Sequence, residues 1–310
     1  MVDPKKGIKN LIAVMGPTAV GKSTVSIKLA KRFNGEIISC DSMQVYKGFD
    51  IGTDKIPEEK RENIPHHLLD IANPSSQFTA GLFVKHAHKA IELIINKNKI
   101  PIITGGTGLY FKSLFNGVFP ENKKDPKIRQ RLEKTAKEKG LESLRIQLKK
   151  IDPDYYEKIG KNDKIRIIRA LEVYQATQKS LSEHFLKTKS KLNNYNIIKI
   201  GLKLNRQLMY KRIEERIDSM FERGIIEEVQ KLLEKGLSEH LPPFRALGYQ
   251  YIVKMLHNQI SREEALSLFK RDTRHYAKRQ ITWFKKMEGI KWFSPSQFDS
   301  IAKYIENNLK

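Results

Sequence analysis

Cysteine is almost absent. Cys40 stands alone, which excludes an internal disulfide and a zinc site built from several cysteines. Long apolar runs are missing too. No stretch approaches the roughly 20 apolar residues that a membrane-spanning helix needs, and the opening Met1-Val-Asp-Pro-Lys-Lys-Gly lacks the apolar segment of a signal peptide. These absences lead us to expect a cytoplasmic protein with no membrane attachment. Internal repeats and low-complexity linkers are also lacking.

Acidic residues are outnumbered. Lys and Arg total 58 against 35 Asp and Glu, a formal net charge of +23. A surplus that large favours a polyanionic partner, of which nucleic acid is the usual one; the plainer alternative is a Lys-rich soluble surface. The rest of the composition is globular, with 39% hydrophobic residues in a chain of 310. That length suits one large domain with an insertion, or two domains.

Apolar patterning divides the chain. Leu11-Ile-Ala-Val-Met15, Glu36-Ile-Ile-Ser-Cys40 and Ile100-Pro-Ile-Ile-Thr104 read as short buried strands. Val25, Leu29 and Phe33 recur at helical spacing, and a second helix is expected over about 79–96, capped by Thr79 with Phe78 as a hydrophobic staple. Strands alternating with helices imply a parallel sheet covered on both faces. From Phe119 to Asn196 the texture turns Lys- and Glu-rich, helical and strandless. Asn196 to Asn205 returns to strand patterning. Helices are then expected near 206–222, 225–235, 245–257, 262–286 and 296–309. The expected fold is therefore α/β: a P-loop NTPase-like parallel sheet with flanking helices, a helical insertion and a helical C-terminal region. The divisions are 1–119, 120–195 and 196–310.

Gly16-Pro17-Thr18-Ala19-Val20-Gly21-Lys22-Ser23 fits the phosphate-loop pattern G-x-x-x-x-G-K-[ST] between a strand and a helix. Glycines let backbone N–H groups approach phosphate oxygens, and the following helix points its positive end at them. Lys22 adds a charge, and Ser23 or Thr24 offers a hydroxyl to Mg²⁺. The default reading of such a loop is an ATP-dependent kinase or hydrolase, which requires an acidic metal ligand at a strand end. The strand at 100–104 ends in Thr-Gly-Gly-Thr instead. The strand at 36–40 ends in Asp41, where ligands of open parallel sheets bind. Asp41 could hold Mg²⁺ through water, accept a proton from a nucleophile, or merely cap the next turn.

Further motifs narrow the choice. Asp41-Ser-Met-Gln-Val-Tyr46, Pro65-His-His-Leu-Leu-Asp70, Gly105-Gly-Thr-Gly-Leu-Tyr110, Asn162-Asp-Lys-Ile-Arg166-Ile-Ile-Arg169-Ala-Leu-Glu172, Arg245-Ala-Leu-Gly-Tyr249 and Lys278-Arg-Gln-Ile-Thr-Trp283 follow the loop in order. Together they resemble the tRNA dimethylallyltransferases, also called tRNA isopentenyltransferases, over about residues 10–295. Val20 stands where that family often has Ser or Gly, and Ser23 where Thr is common. The zinc finger of eukaryotic members is missing, so the resemblance is to the bacterial type.

The resemblance implies transfer of the prenyl group of dimethylallyl diphosphate to N6 of the adenine 3′ of the anticodon. The phosphate loop would then grip the donor's diphosphate. It also implies Asp41 as the base for N6, Thr107 as an active-site hydroxyl, and Arg216 as a diphosphate contact. Arg212 competes for that last role, because the two lie four residues apart beside the apolar stripe Met209, Ile213, Ile217 and Phe221; a surface pair with Glu215 or Glu222 is the alternative for Arg216. Mg²⁺ is the expected cofactor, and the protein is expected to act as a monomer.

For tRNA, the resemblance adds Ser42, Met43 and Gln44 beside Asp41 and Thr107, then Arg129, Arg166, Arg169 and Arg245. Helical geometry adds its own argument over 262–286. At about 100° per residue, Arg271, Arg274, Lys278 and Lys285 share a stripe about 60° wide, with Phe269, Tyr276 and Trp283 on the other side. The stretch Lys278, Arg279, Gln280, Trp283 and Lys285 matches the family's tRNA-binding segment. His66 and His67 look at first like metal ligands, but with Cys40 alone they are expected to order their loop. Two alternatives stay open: a prenyltransferase for free adenine nucleotides, and a P-loop ATPase or kinase that binds nucleic acid.

Overall fold

The computed structural model describes residues 8–118 and 125–310. The chain opens with strand β1 (Lys9–Met15), helix α1 (Lys22–Arg32) and strand β2 (Gly35–Cys40). A long loop holds the short strand β3 (His66–His67) and leads to α2 (Ala80–Asn96), β4 (Ile100–Gly105) and α3 (Gly108–Asn116). Helices α4 (Pro126–Glu138), α5 (Gly140–Ile151), α6 (Pro153–Lys158), α7 (Lys164–Thr177) and α8 (Leu181–Lys187) follow. Then come β5 (Tyr195–Leu202), α9 (Arg206–Glu222), α10 (Ile225–Glu234), α11 (Tyr249–Leu256), α12 (Arg262–Lys285), β6 (Lys291–Phe293) and α13 (Phe298–Glu306).

Contacts divide the chain into two compact units. One comprises residues up to Lys112 together with Asn194–Lys310; the other is Ser113–Asn193. The first holds a six-stranded sheet in the order β3-β2-β4-β1-β5-β6, parallel at every pairing. Strand β1 lies inside it, pairing Ile12 with Ile102 and with Ile198. The step from β1 to β2 passes over β4, and the step from β2 to β4 returns. Right-handed crossovers therefore place α1 and α2 on opposite faces. Ile12, Val14, Ile37, Ile102, Ile198 and Ile200 pack with Val25 and Leu29 of α1 and Ile301 and Ile305 of α13. Strands buried on both faces read as continuous apolar runs, as Leu11 to Met15 does. A second core joins α9–α12, with Phe49, Phe244 and Tyr249 in mutual ring contact.

The expected α/β fold is the one found. Its misses are short elements: β3 has two residues and β6 three, and α3 begins directly after the Gly-Gly-Thr turn. The strand expected over 196–205 ends at Leu202, because Asn205 caps α9 through its side chain. The helix expected over 245–257 is a 3₁₀ turn, Pro242–Arg245, followed by α11 after Gly248 reverses the backbone at φ +98.

Among its described residues the second unit holds helices and no strand. Ile128, Leu132, Leu144, Leu148, Ile167 and Leu171 form its core. Glu172 is buried there, accepting from Arg169 at 3.0 Å with Arg129 at 3.8 Å.

At the start of β2, beside the edge strand β3, Glu36 is 1% exposed. It meets His67 at 2.8 Å, Lys99 at 3.0 Å and Lys97 at 3.2 Å. Burial alone would raise its pKa, but these partners prevail and hold it at about 2. A carboxylate depressed in the folded state contributes stability above its unfolded pKa and loses it as pH falls through the folded value. The fold is therefore expected to weaken from about pH 4.5 down to about 2. Glu36→Gln should flatten that acid limb and cost about 3 kcal/mol at neutral pH, as urea titrations at several pH values would report. His66 Nδ1 meets the Ile64 carbonyl at 2.8 Å, so both histidines serve this loop and edge.

Candidate active site

Because the strands are parallel, Met15, Cys40 and Gly105 end at one edge of the sheet. Such an edge is where α/β proteins bind ligands. The loop after β1 turns sharply, with Ala19 at φ +60 and Gly21 at φ +98; the second conformation is one that glycine adopts without Cβ strain. Gly16, Pro17 and Val20 are buried beneath the loop. Thr18, Ala19, Gly21, Lys22, Ser23 and Thr24 instead line a cavity of about 310 Å³. Its other walls are Asp41 and Gln44, Asp54, Thr104 to Gly106, Arg212 and Arg216, and Tyr276 and Gln280.

Both cations (Lys22, Arg212, Arg216) and acids (Asp41, Asp54) line the cavity. Lys22 Nζ donates to the Pro17 carbonyl at 2.7 Å. Burial lowers its pKa to about 8; the Arg216 guanidinium pushes the same way, against Asp41, Asp54 and Cys40. Burial also raises the Cys40 thiol well above its ordinary value, with Asp41 adding to the effect.

Asp41 begins a side-chain-capped turn. Its Oδ1 accepts the N–H groups of Met43 at 2.8 Å and Gln44 at 3.2 Å. Capping and cavity lining are thus both true of this residue, with Oδ2 outside the turn. Thr107 lies next to it, and its Oγ1 accepts the Ser42 N–H at 3.1 Å. That bond ties the Asp41 turn to the β4–α3 connection. Thr107 itself is not among the cavity-lining residues. Gln44 was expected to touch a base, yet its amide is spent internally: Oε1 accepts from Ser39, and Nε2 donates to the carbonyls of Thr53 and Asp54. Met43 packs against the helical core.

Arg216 and Arg212 both line the cavity. Neither expected surface partner holds Arg216. Its Nη1 meets Asp54 Oδ2 at 3.3 Å, and its buried Nε has no partner. Asp54 also meets Arg223 at 3.3 Å. The loop bearing Asp54 is pinned by Glu228, which accepts the N–H groups of Asp50, Ile51 and Gly52. It is pinned again by Lys55, buried between Asp50 and Asp70.

Helix α12 buries Ala265, Phe269, Thr273, Ala277, Gln280 and Phe284. Arg271, Lys278, Arg279 and Lys285 are exposed and Arg274 partly so, paired with Glu214 at 2.7 Å. Tyr276 turns toward the cavity instead of the packed face, and burial raises its hydroxyl pKa, leaving a neutral donor at ordinary pH. Trp283 lies against Gly108, half-buried. Gln280, expected among tRNA contacts, is 6% exposed and bonds the phosphate loop. Arg245 is exposed at the end of its 3₁₀ turn. In the helical unit Arg166 is exposed and near Asp163, while Arg129 and Arg169 attend buried Glu172. Asp54 and Tyr276 were missed from the sequence: Asp54 sits in an irregular loop, and Tyr276 was placed with the packing aromatics.

A sequence model described as IPP transferase matches residues 44–287. The tRNA dimethylallyltransferase of Carboxydothermus hydrogenoformans is 48% identical over 96% of this chain and 96% of its own. That of Acetivibrio thermocellus is 46% identical with the same coverage. The crystal structure of the full-length tRNA isopentenylpyrophosphate transferase from Bacillus halodurans superposes with a TM-score of 0.70 at 37% identity, covering 97% of this chain and 98% of that one. A eukaryotic dimethylallyltransferase solved acting on tRNA gives a TM-score of 0.81 at 33% identity, covering 97% and 80%. With a matching model over most of its length and relatives of this identity end to end, the chain belongs to the IPP transferase family.

Proposed function

We propose that this protein transfers the dimethylallyl group of dimethylallyl diphosphate to N6 of the adenine immediately 3′ of the anticodon in tRNA. The observation that carries the reading is the pairing of a cationic phosphate cradle with a carboxylate across one small cavity. Adenine N6 attacks the allylic carbon, the carbon–oxygen bond breaks, and diphosphate leaves with the bonding pair. Loop N–H groups, Lys22, Arg212 and Arg216 stabilise the departing charge. Asp41, through the oxygen its turn leaves over, takes the proton that N6 loses. Thr107 and Ser42 hold that turn in place. The adenine has to leave the base stack to reach the cavity, and the exposed basic residues of α12 with Arg245 and Arg166 meet RNA phosphates.

Ser23 and Thr24 present exposed hydroxyls at the cavity. Among the described residues no group of three or more His, Cys, Asp or Glu forms a metal cage. That donor set fits Mg²⁺, which is commonly held by one or two protein oxygens plus substrate phosphates. Bound there, the ion would neutralise diphosphate charge. No described helix is long and apolar enough to cross a membrane.

The test uses the purified chain, an anticodon stem-loop RNA with the target adenine, and labelled dimethylallyl diphosphate without ATP. Label should enter the RNA with release of one diphosphate per transfer. A requirement for ATP, or preferential labelling of free AMP, would refute the reading.

A further inference from the structure

Helix α12 reaches into the site through Gln280. Its Oε1 accepts the Thr18 N–H at 2.8 Å, and its Nε2 donates to the Gly106 carbonyl at 2.9 Å. One amide thus ties together two segments far apart in sequence: the phosphate loop after β1, and the turn after β4 that carries Thr107. The fit is tight, since a Cβ on Gly106 would lie 2.2 Å from Gln280 Nε2. Tyr276, one helical turn earlier, also lines the cavity. The exposed face of the same helix carries Lys278, Arg279 and Lys285.

A loop N–H that meets a protein acceptor has its direction fixed before any phosphate arrives. Here the acceptor rides on a helix whose other face is basic. A small shift of that helix reaches both backbone partners of Gln280 through one side chain. We propose that Gln280 is a positioning residue that sets the spacing of the phosphate loop and the Gly105–Thr107 turn, so that RNA seated on α12 tightens the diphosphate site. The inference rests on the function proposed above and adds to it a route by which the two substrates sense each other.

Titration calorimetry of the full chain with inorganic diphosphate, with and without saturating anticodon stem-loop RNA, tests it. In the wild type, RNA should tighten diphosphate binding at least about fivefold, the lower end of usual coupling between sites. In Gln280→Met, similar in length but without the amide, RNA affinity should stay within about twofold and the RNA effect on diphosphate should nearly vanish. Hydrogen exchange at the Thr18 amide should accelerate while β1 amides keep their protection. Gln280→Glu keeps an acceptor for Thr18 but no donor for Gly106; it should weaken diphosphate in both RNA states and shrink their ratio, and it stands in should the Met variant fail to fold. Undiminished coupling in the variants, or none in the wild type, would overturn the inference. If the wild type also transfers no prenyl group to RNA, the functional reading itself fails; if transfer proceeds, only the role of Gln280 does.

Discussion

Asp41→Asn is expected to lower kcat for prenyl transfer by about 10²- to 10⁴-fold, the usual worth of a positioned general base, with RNA affinity nearly unchanged. The structure makes asparagine the informative replacement. Oδ1 of Asp41 caps the N–H groups of Met43 and Gln44. Alanine would therefore remove the cap and the base together, and a loss of rate could come from either. Asparagine keeps an oxygen for the cap and discards the proton acceptor. The difference between the two variants then measures the turn, while Asp41→Asn measures the chemistry. Single-turnover rates with saturating RNA separate this from binding. A normal rate in Asp41→Asn would remove Asp41 as the base, and attention would pass to water or phosphate oxygens.

Lys22→Met should lower kcat/KM for the prenyl diphosphate by about 10²- to 10³-fold, as for loss of a preorganised donor to developing negative charge. It should also erase a pH effect. In the free protein Lys22 has a pKa of about 8, depressed first by burial and then by Arg216. An anion binds the charged form, so wild-type affinity for diphosphate should hold below about pH 8 and decline above it. Binding near pH 8 should take up a proton, which calorimetry in buffers of different ionisation enthalpy detects. The folded protein in turn gains stability as pH rises from about 8 to 10.5, since the unfolded chain binds the extra proton there. Lys22→Met should show neither trend. A pH profile unchanged by the substitution would assign the titration to another group.

The sequence made parts of this site readable for identifiable reasons. A phosphate loop has a fixed length and a mandatory lysine, so Gly16 to Ser23 was visible at once. Asp41 was visible because it ends an apolar strand. The cap on α2 was read correctly, with Thr79 accepting from the Leu82 N–H. What stayed hidden depends on contacts between distant segments. The strand at His66–His67 exists only as a pairing with Ile37 and Ile38, and two residues carry no period. Asp54 matters because Arg216 and Arg223 converge on it from α9 and its end. On α12, the residues of the basic stripe are exposed or partly exposed, while Gln280, expected among the tRNA contacts, is buried against the phosphate loop. Its position on the buried series Phe269, Thr273, Ala277 and Phe284 was the available signal. A polar residue on an apolar stripe needs partners inside the protein.

The place of β1 has a kinetic consequence. Its inner edge is completed only when Lys9 to Met15 meet Tyr195 to Gly201. A nascent chain growing at about 5–20 residues per second leaves that edge waiting roughly ten to forty seconds. During that interval the helices between Ser113 and Asn193, which have a core of their own, have time to collapse first. β1, with five apolar residues of seven, thus keeps one side unpaired during synthesis, and such edges invite aggregation. Refolding from denaturant should be slow and concentration-sensitive, with the helical unit gaining protection well before β1 does.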